Sequence, residues 1–160
     1  MCLVDDLVLS VIAATLIGAG TTVGAMVPFS TFIMAALKRL DEAEGIRAMQ
    51  QINQTVYTPW FMVPFFGTTL LSIGAVAFAL MNTDQGWWLS LLAAGSLFVI
   101  GVFGVTAVGN VPLNNQLARI EPGDAASSEF WQSYLAAWTR WNHARVVLGA
   151  LSIILYSWVL

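Results

Sequence analysis

The sequence predicts an all-α integral membrane protein, a four-helix bundle with short amphipathic helices on its cytoplasmic side. Three observations predict it. Hydrophobic residues make up 58 % of the 160 and charged residues only 9 %, where a soluble domain carries about 25 % charged residues. The few charges divide the chain into uncharged runs, Leu7 to Leu37, Ala48 to Thr83, Gln85 to Ala118 and Val146 to Leu160, and a spanning helix needs about 20 mostly apolar residues. All six basic residues also fall between the first and second runs or between the third and fourth, as one side of a membrane requires.

The elements follow in order. The first span is placed at about 7–30, with Pro28 kinking it or ending its regular part. Within it Gly20 and Gly24 form a G-x-x-x-G pair of the kind that permits close helix approach. Residues 42–56 read as a polar, amphipathic helix, with Ile46, Met49, Ile52 and Val56 at helical spacing. The second span starts near Pro59, a residue suited to a first helical turn, and runs to about Met81. Asn82-Thr83-Asp84-Gln85-Gly86 is a tight turn, and Trp87 and Trp88 stand where interfacial aromatics belong. The third span covers about 87–109. A polar loop, 119–127, surrounds Pro122 and Gly123. A second amphipathic helix begins near Ser128 and runs into a fourth span at about 141–160. The chain is thus one transmembrane domain, 1–160.

Lys38, Arg39 and Arg47 follow span one, and Arg119, Arg140 and Arg145 lie between spans three and four. The positive-inside rule assigns that side to the cytoplasm and both termini to the opposite side, in the inner membrane of a cell. No cleavable leader is expected, since Asp5 and Asp6 occupy the place of a basic segment. After Arg145 only 15 residues remain, about 22 Å of helix, against a hydrocarbon core of roughly 30 Å. Either the helix stops short, or Arg145 and His143 lie at membrane depth inside the bundle, where ionisable groups usually have a task. The alternative is an arginine that snorkels to water.

Composition also excludes function classes. No basic patch with interleaved aromatics points to nucleic acid. A single cysteine, Cys2, forms no intramolecular disulfide. With one histidine, His143, a closed zinc site and a bis-histidine haem are not expected, and no cofactor is predicted. The spans carry no midplane acid and no inverted repeat, which argues against a transporter or channel.

Polar residues near the membrane concentrate in two segments at the cytoplasmic end. One is Asn110-Val111-Pro112-Leu113-Asn114-Asn115-Gln116-Leu117-Ala118-Arg119, the other Trp138-Thr139-Arg140-Trp141-Asn142-His143-Ala144-Arg145. Trp131, Tyr134, Trp138, Trp141 and Arg145 recur at three- and four-residue steps along one helix face. Read blandly, the asparagines cap helix ends near Pro112, the tryptophans form an interfacial belt, and His143 is a packing residue.

These segments, with Thr31-Phe32-Ile33-Met34 and Ala36-Leu37, and with Ala48-Met49-Gln50 to Asn53, resemble the anthrone oxygenase-like family of small membrane proteins. The resemblance runs from about 30 to 150 in order and spacing. It implies a four-helix membrane bundle and an oxidoreductase that oxidises a planar aromatic or polyketide-like substrate with dioxygen and no cofactor. Such chemistry needs a base, an oxyanion stabiliser and a flat apolar slot. The only histidine, His143, is the expected base, and Arg145, Asn114 and Asn115 are the expected oxyanion partners. Trp138, Trp141, Trp60 and Phe32 are expected to line the slot, with Asn142 and Asn110 beside them. The partners are then the lipid bilayer and a hydrophobic aromatic small molecule. The alternative is a non-catalytic accessory subunit of a larger membrane complex, its spans packed through Gly18, Gly20, Gly24, Gly95, Gly101 and Gly104.

Overall fold

The computed structural model describes residues 3–124 and 127–160; Cys2 and residues 125–126 of the polar loop lie outside them. Among the described residues the protein is helical, with no strand. Five continuous helices follow one another: α1 over 3–37, α2 (Glu42–Thr55), α3 (Pro59–Met81), α4 (Trp88–Leu117) and α5 (Ser127–Ser157). The segments Asp6–Leu37, Pro59–Met81 and Trp88–Leu117 are long and apolar enough to cross a membrane. Helix α5 packs along α1 and α4, and α3 packs between α1 and α4.

Two helices run on past their expected ends. Helix α1 continues beyond Pro28 to Leu37, and α4 continues beyond residue 109 through Pro112 to Leu117. A proline has no N–H for the carbonyl four residues back. A π-type turn adjoins each proline, Phe29–Ile33 after Pro28 and Thr106–Asn110 before Pro112, and α4 carries a further π-type stretch at Leu97–Gly104. Asn110, Asn114 and Asn115 therefore stand within α4 and do not cap its end. The cap at that end comes from elsewhere: Gln50 of α2 donates its Nε2 to the carbonyls of Leu117 (2.9 Å) and Ile120 (3.0 Å). Leu117 is the last residue of α4, and its carbonyl also accepts from the backbone N–H of Ile120 at 3.1 Å.

Buried side chains form three clusters stacked along the molecule. A head cluster joins α1, α2, α4 and the first half of α5 through Met34, Ile46, Met49, Leu117, Trp131, Tyr134 and Trp138. A middle cluster holds Val23, Met26, Phe65, Phe98 and Val102. The far cluster, around Ile12, Leu91 and Tyr156, lies beside the Asn82–Gly86 turn. There Trp87 stacks on Phe78 with ring centroids 5.5 Å apart. The head is pinned where Ser127 Oγ donates to Glu42 Oε1 at 2.7 Å. Hydrogen bonds from Ser128 and Ser127 hold the Glu42 carboxyl below its usual range.

Apolar contact between helices is matched by lipid, so close packing and polar clips carry helix association in a membrane. Ser152 donates to the Ala94 carbonyl at 2.7 Å, and Tyr156 donates to Ser72 Oγ at 2.9 Å. Gly20 and Gly24, expected at a close helix approach, instead face open space. They lie on the side of α1 opposite its buried face at Ala19 and Val23. Close contacts lie instead at Gly18, Gly95, Gly101, Gly109 and Gly149, and at Gly95 an added Cβ would stand 2.8 Å from the Ser72 carbonyl oxygen. Because that oxygen is backbone, Gly95→Ala is expected to lower stability by about 1–3 kcal/mol. Gly24→Ala should be neutral or slightly stabilising by helix propensity. Thermal unfolding in detergent reads both, and equal midpoints would refute the assignment.

Candidate functional site

Between the head and middle clusters lies a cavity of about 350 Å³, within the range of small-molecule sites. All five helices contribute to it. Met26 and Phe29 come from α1, Met49 and Asn53 from α2, Phe61, Phe65 and Phe66 from α3, Thr106, Asn110 and Asn114 from α4, and Trp138, Asn142 and Arg145 from α5. The π-type turns Phe29–Ile33 and Thr106–Asn110 contribute Phe29, Thr106 and Asn110 to the cavity, and such turns are frequent at functional sites. The phenyl rings form one aromatic wall: Phe61 stacks on Phe65 (5.7 Å), which meets Phe66 edge-on (5.2 Å).

Arg145 is the one charged residue in this lining, which holds no carboxylate and no histidine. Its side chain is 6 % exposed. Nη1 donates to Thr106 Oγ1 at 3.1 Å, and Nη2 donates to Asn142 Oδ1. The guanidinium lies 5.4 Å from the centroid of the Trp138 ring, a cation–π distance. These partners are all neutral, so the charge is solvated by dipoles without being cancelled. Nε has no partner.

Asn142, fully buried, aims this cation. Its Nδ2 donates to the Met26 carbonyl (2.9 Å) and to Ser30 Oγ (2.7 Å), which ties α5 to the widened turn of α1. Since a carbonyl only accepts and a guanidinium only donates, the amide has one possible orientation. Asn114 Oδ1 likewise accepts from Trp138 Nε1 (2.8 Å) and Tyr134 Oη (3.0 Å), fixing the indole that lies under Arg145. Burial pushes the Tyr134 hydroxyl above its ordinary pKa, which keeps it a proton donor to Asn114. Asn110 donates its Nδ2 to the Trp138 carbonyl at 3.2 Å and leaves Oδ1 without a partner. Asn53 Nδ2 is also unpartnered. Three of the four buried side-chain atoms without a partner among the described residues thus belong to residues of this one lining.

The structure brings together Asn110, Asn114, Trp138, Asn142 and Arg145 and separates the rest of the expected set. His143 is exposed and lines a different groove, on the α1 side of α5. One residue on from Asn142, it is turned about 100° around the helix, away from the cavity. Asn115 is rotated in the same way from Asn114 and faces the α2 side of the head. Trp60 is 90 % and Phe32 61 % exposed, so neither lines the cavity. Trp141 is 41 % exposed and packs over Gly109, leaving no room there for a side chain. Thr106, Asn53 and the α3 phenylalanines were not anticipated. Thr106 had a signal: it is the one hydroxyl between Ser96 and Asn110, and it shares a helix face with Asn110 four residues on.

Among the described residues, no three His, Cys, Asp or Glu side chains gather as a metal site would need. No curated protein and no solved structure matches the chain. A family model does match, that of anthrone oxygenase, over residues 56–155, which takes in both the Asn110–Asn115 string and Trp138 to Arg145. Covering well over half of the sequence, including most of the residues around the cavity, this match shows that the chain belongs to the anthrone oxygenase family.

Proposed function

We propose that the protein is a membrane oxidoreductase that oxidises a planar, anthrone-like aromatic substrate with dioxygen in this cavity, without a cofactor. The observation that carries the reading is Arg145, a buried cation without a carboxylate partner in a lining of apolar, aromatic and neutral polar side chains. Holding a cation at membrane depth costs roughly 2.5–3.5 kcal/mol or more, which function offsets. The topology in support has α1, α3, α4 and residues 141–160 as four spans. The head and the five other basic residues then lie on the cytoplasmic side.

An anthrone carries a CH2 between two aromatic rings, opposite a ketone. Loss of one CH2 proton delocalises the charge onto the ketone oxygen, where the Arg145 guanidinium stabilises it. With no histidine or carboxylate in the lining, the site acts by stabilising this anion, and the proton passes to water at the mouth near Tyr57 and Thr58. The electron-rich anion gives one electron to dioxygen. Recombination forms a C–O bond at the former CH2 carbon, and the resulting peroxide loses water to leave a second carbonyl. One oxygen atom stays in the quinone, and the other leaves as water with the two CH2 hydrogens. No external reductant is consumed.

Oxygen uptake with anthrone, measured in mild detergent against a protein-free blank, tests the reading. Wild-type protein is expected to exceed the blank. Ala25→Phe, which fills the cavity from α1, should fall to it, and His143→Ala should stay well above it. Uptake equal in protein and blank would overturn the reading in favour of a non-catalytic accessory role. Uptake lost in His143→Ala but kept in Ala25→Phe would move the site out of the cavity.

A further inference from the structure

The groove that holds His143 has a chemistry of its own. It lies between the end of α1 and the middle of α5, with a volume of about 350 Å³. Lys38 reaches it from α1, and Arg140 and His143 reach it from α5, where positions three apart share a face. No carboxylate lines it. Hydroxyls of Thr31 and Thr139 stand among the basic groups, and Met34 and Leu135 form an apolar floor. Its position is also defined. Lys38 directly follows the membrane-crossing segment Asp6–Leu37, and from residue 146 onward α5 carries no charge. Basic side chains from two helices therefore converge at the level where the apolar surface ends. Phe32, 61 % exposed, projects from the same part of α1, as a side chain that meets acyl chains would.

We propose that this groove binds the headgroup of an anionic phospholipid, with Lys38, Arg140 and His143 around the phosphate and an acyl chain along the apolar surface beneath. Basic pockets between membrane helices on the cytoplasmic side recognise such headgroups. A zwitterionic lipid carries its own cation and is disfavoured by the same cluster. A free phosphate ion shares the charge chemistry but leaves the apolar floor uncovered, so the floor favours the lipid.

Native mass spectrometry of the protein from detergent, supplied with equal amounts of phosphatidylglycerol and phosphatidylcholine, provides the test. Wild type is expected to retain phosphatidylglycerol preferentially. Lys38→Gln with Arg140→Gln should cut that preference about thirtyfold, the loss of two charges worth about 1 kcal/mol each near the surface. The charge-preserving pair Lys38→Arg and Arg140→Lys should keep it. Arg119→Gln, which removes an exposed cation outside the groove, should also keep it. All three residues changed are exposed, and unchanged thermal midpoints will confirm folding. Equal retention of the two lipids by wild type would overturn the proposal. So would an equal loss in Arg119→Gln, which would mark a diffuse charge effect, or displacement of the lipid by inorganic phosphate at equal concentration, which would mark a phosphate site.

Discussion

Arg145→Met is expected to abolish anthrone-dependent oxygen uptake without lowering the thermal midpoint. Removing one preorganised donor to a developing oxyanion typically costs about 10²–10³-fold in rate, and here a full charge goes with it. The stability expectation runs the other way. The guanidinium is buried among neutral partners, Thr106, Asn142 and Trp138. Removing the buried charge relieves a desolvation penalty of several kcal/mol, which offsets the roughly 1–3 kcal/mol cost of stranding Asn142 Oδ1. Arg145→Lys should fall between, because an ammonium keeps the charge but not the two-armed grip on Thr106 and Asn142. A variant that loses activity and also unfolds early would identify Arg145 as a structural residue. A variant that keeps its activity would remove the proposed mechanism.

Asn142→Leu has the second largest expected effect, and it strikes stability and activity together. The substitution is close to isosteric, yet it removes the partner of the Met26 carbonyl, Ser30 Oγ and Arg145 Nη2 in a largely buried region. Each stranded group costs about 1–3 kcal/mol, so a combined loss of about 2–4 kcal/mol is expected after partial relaxation. With its aim lost, Arg145 should support uptake poorly even at temperatures where the variant stays folded. The double variant Asn142→Leu, Arg145→Met tests the coupling. If Asn142 matters mainly by satisfying Arg145, the second change should restore part of the lost stability. Simple addition of the two single effects would show that the tie to α1 carries the cost.

The helices were legible in the sequence because charges interrupt apolar runs, and five helices need little more than that pattern and the turn residues at 82–86. The extent of α1 and α4 was not. A proline in an apolar run reads as an end or a kink, whereas neighbours that supply new partners let the helix widen and continue. Gly20 and Gly24 show the same limit, since spacing marks a small-residue face without saying whether a neighbour lies on it. At the site, Asn110, Asn114, Trp138, Asn142 and Arg145 were all visible as an unusual density of polar and aromatic residues near a membrane boundary. What the sequence hid was rotation about the helix. His143 and Asn142 are adjacent in sequence and face different grooves, and being the only histidine made His143 conspicuous without placing it. The α3 phenylalanines were hidden for the opposite reason, since in a chain this apolar a wall of rings looks like any other span.

The low apolarity of α5 has a consequence for how the protein is made. Of the four long helices it alone falls short of what crosses a membrane by composition, and it follows the other three in the chain. Its polar atoms find their partners on helices already synthesised: Thr106 for Arg145, Met26 and Ser30 for Asn142, Ala94 for Ser152 and Ser72 for Tyr156. In the proposed topology the first three spans therefore act as the receptor for the fourth. The partners of the arginine are thus in place before α5 inserts, and a chain that has not yet inserted α5 lacks the cation of the proposed site.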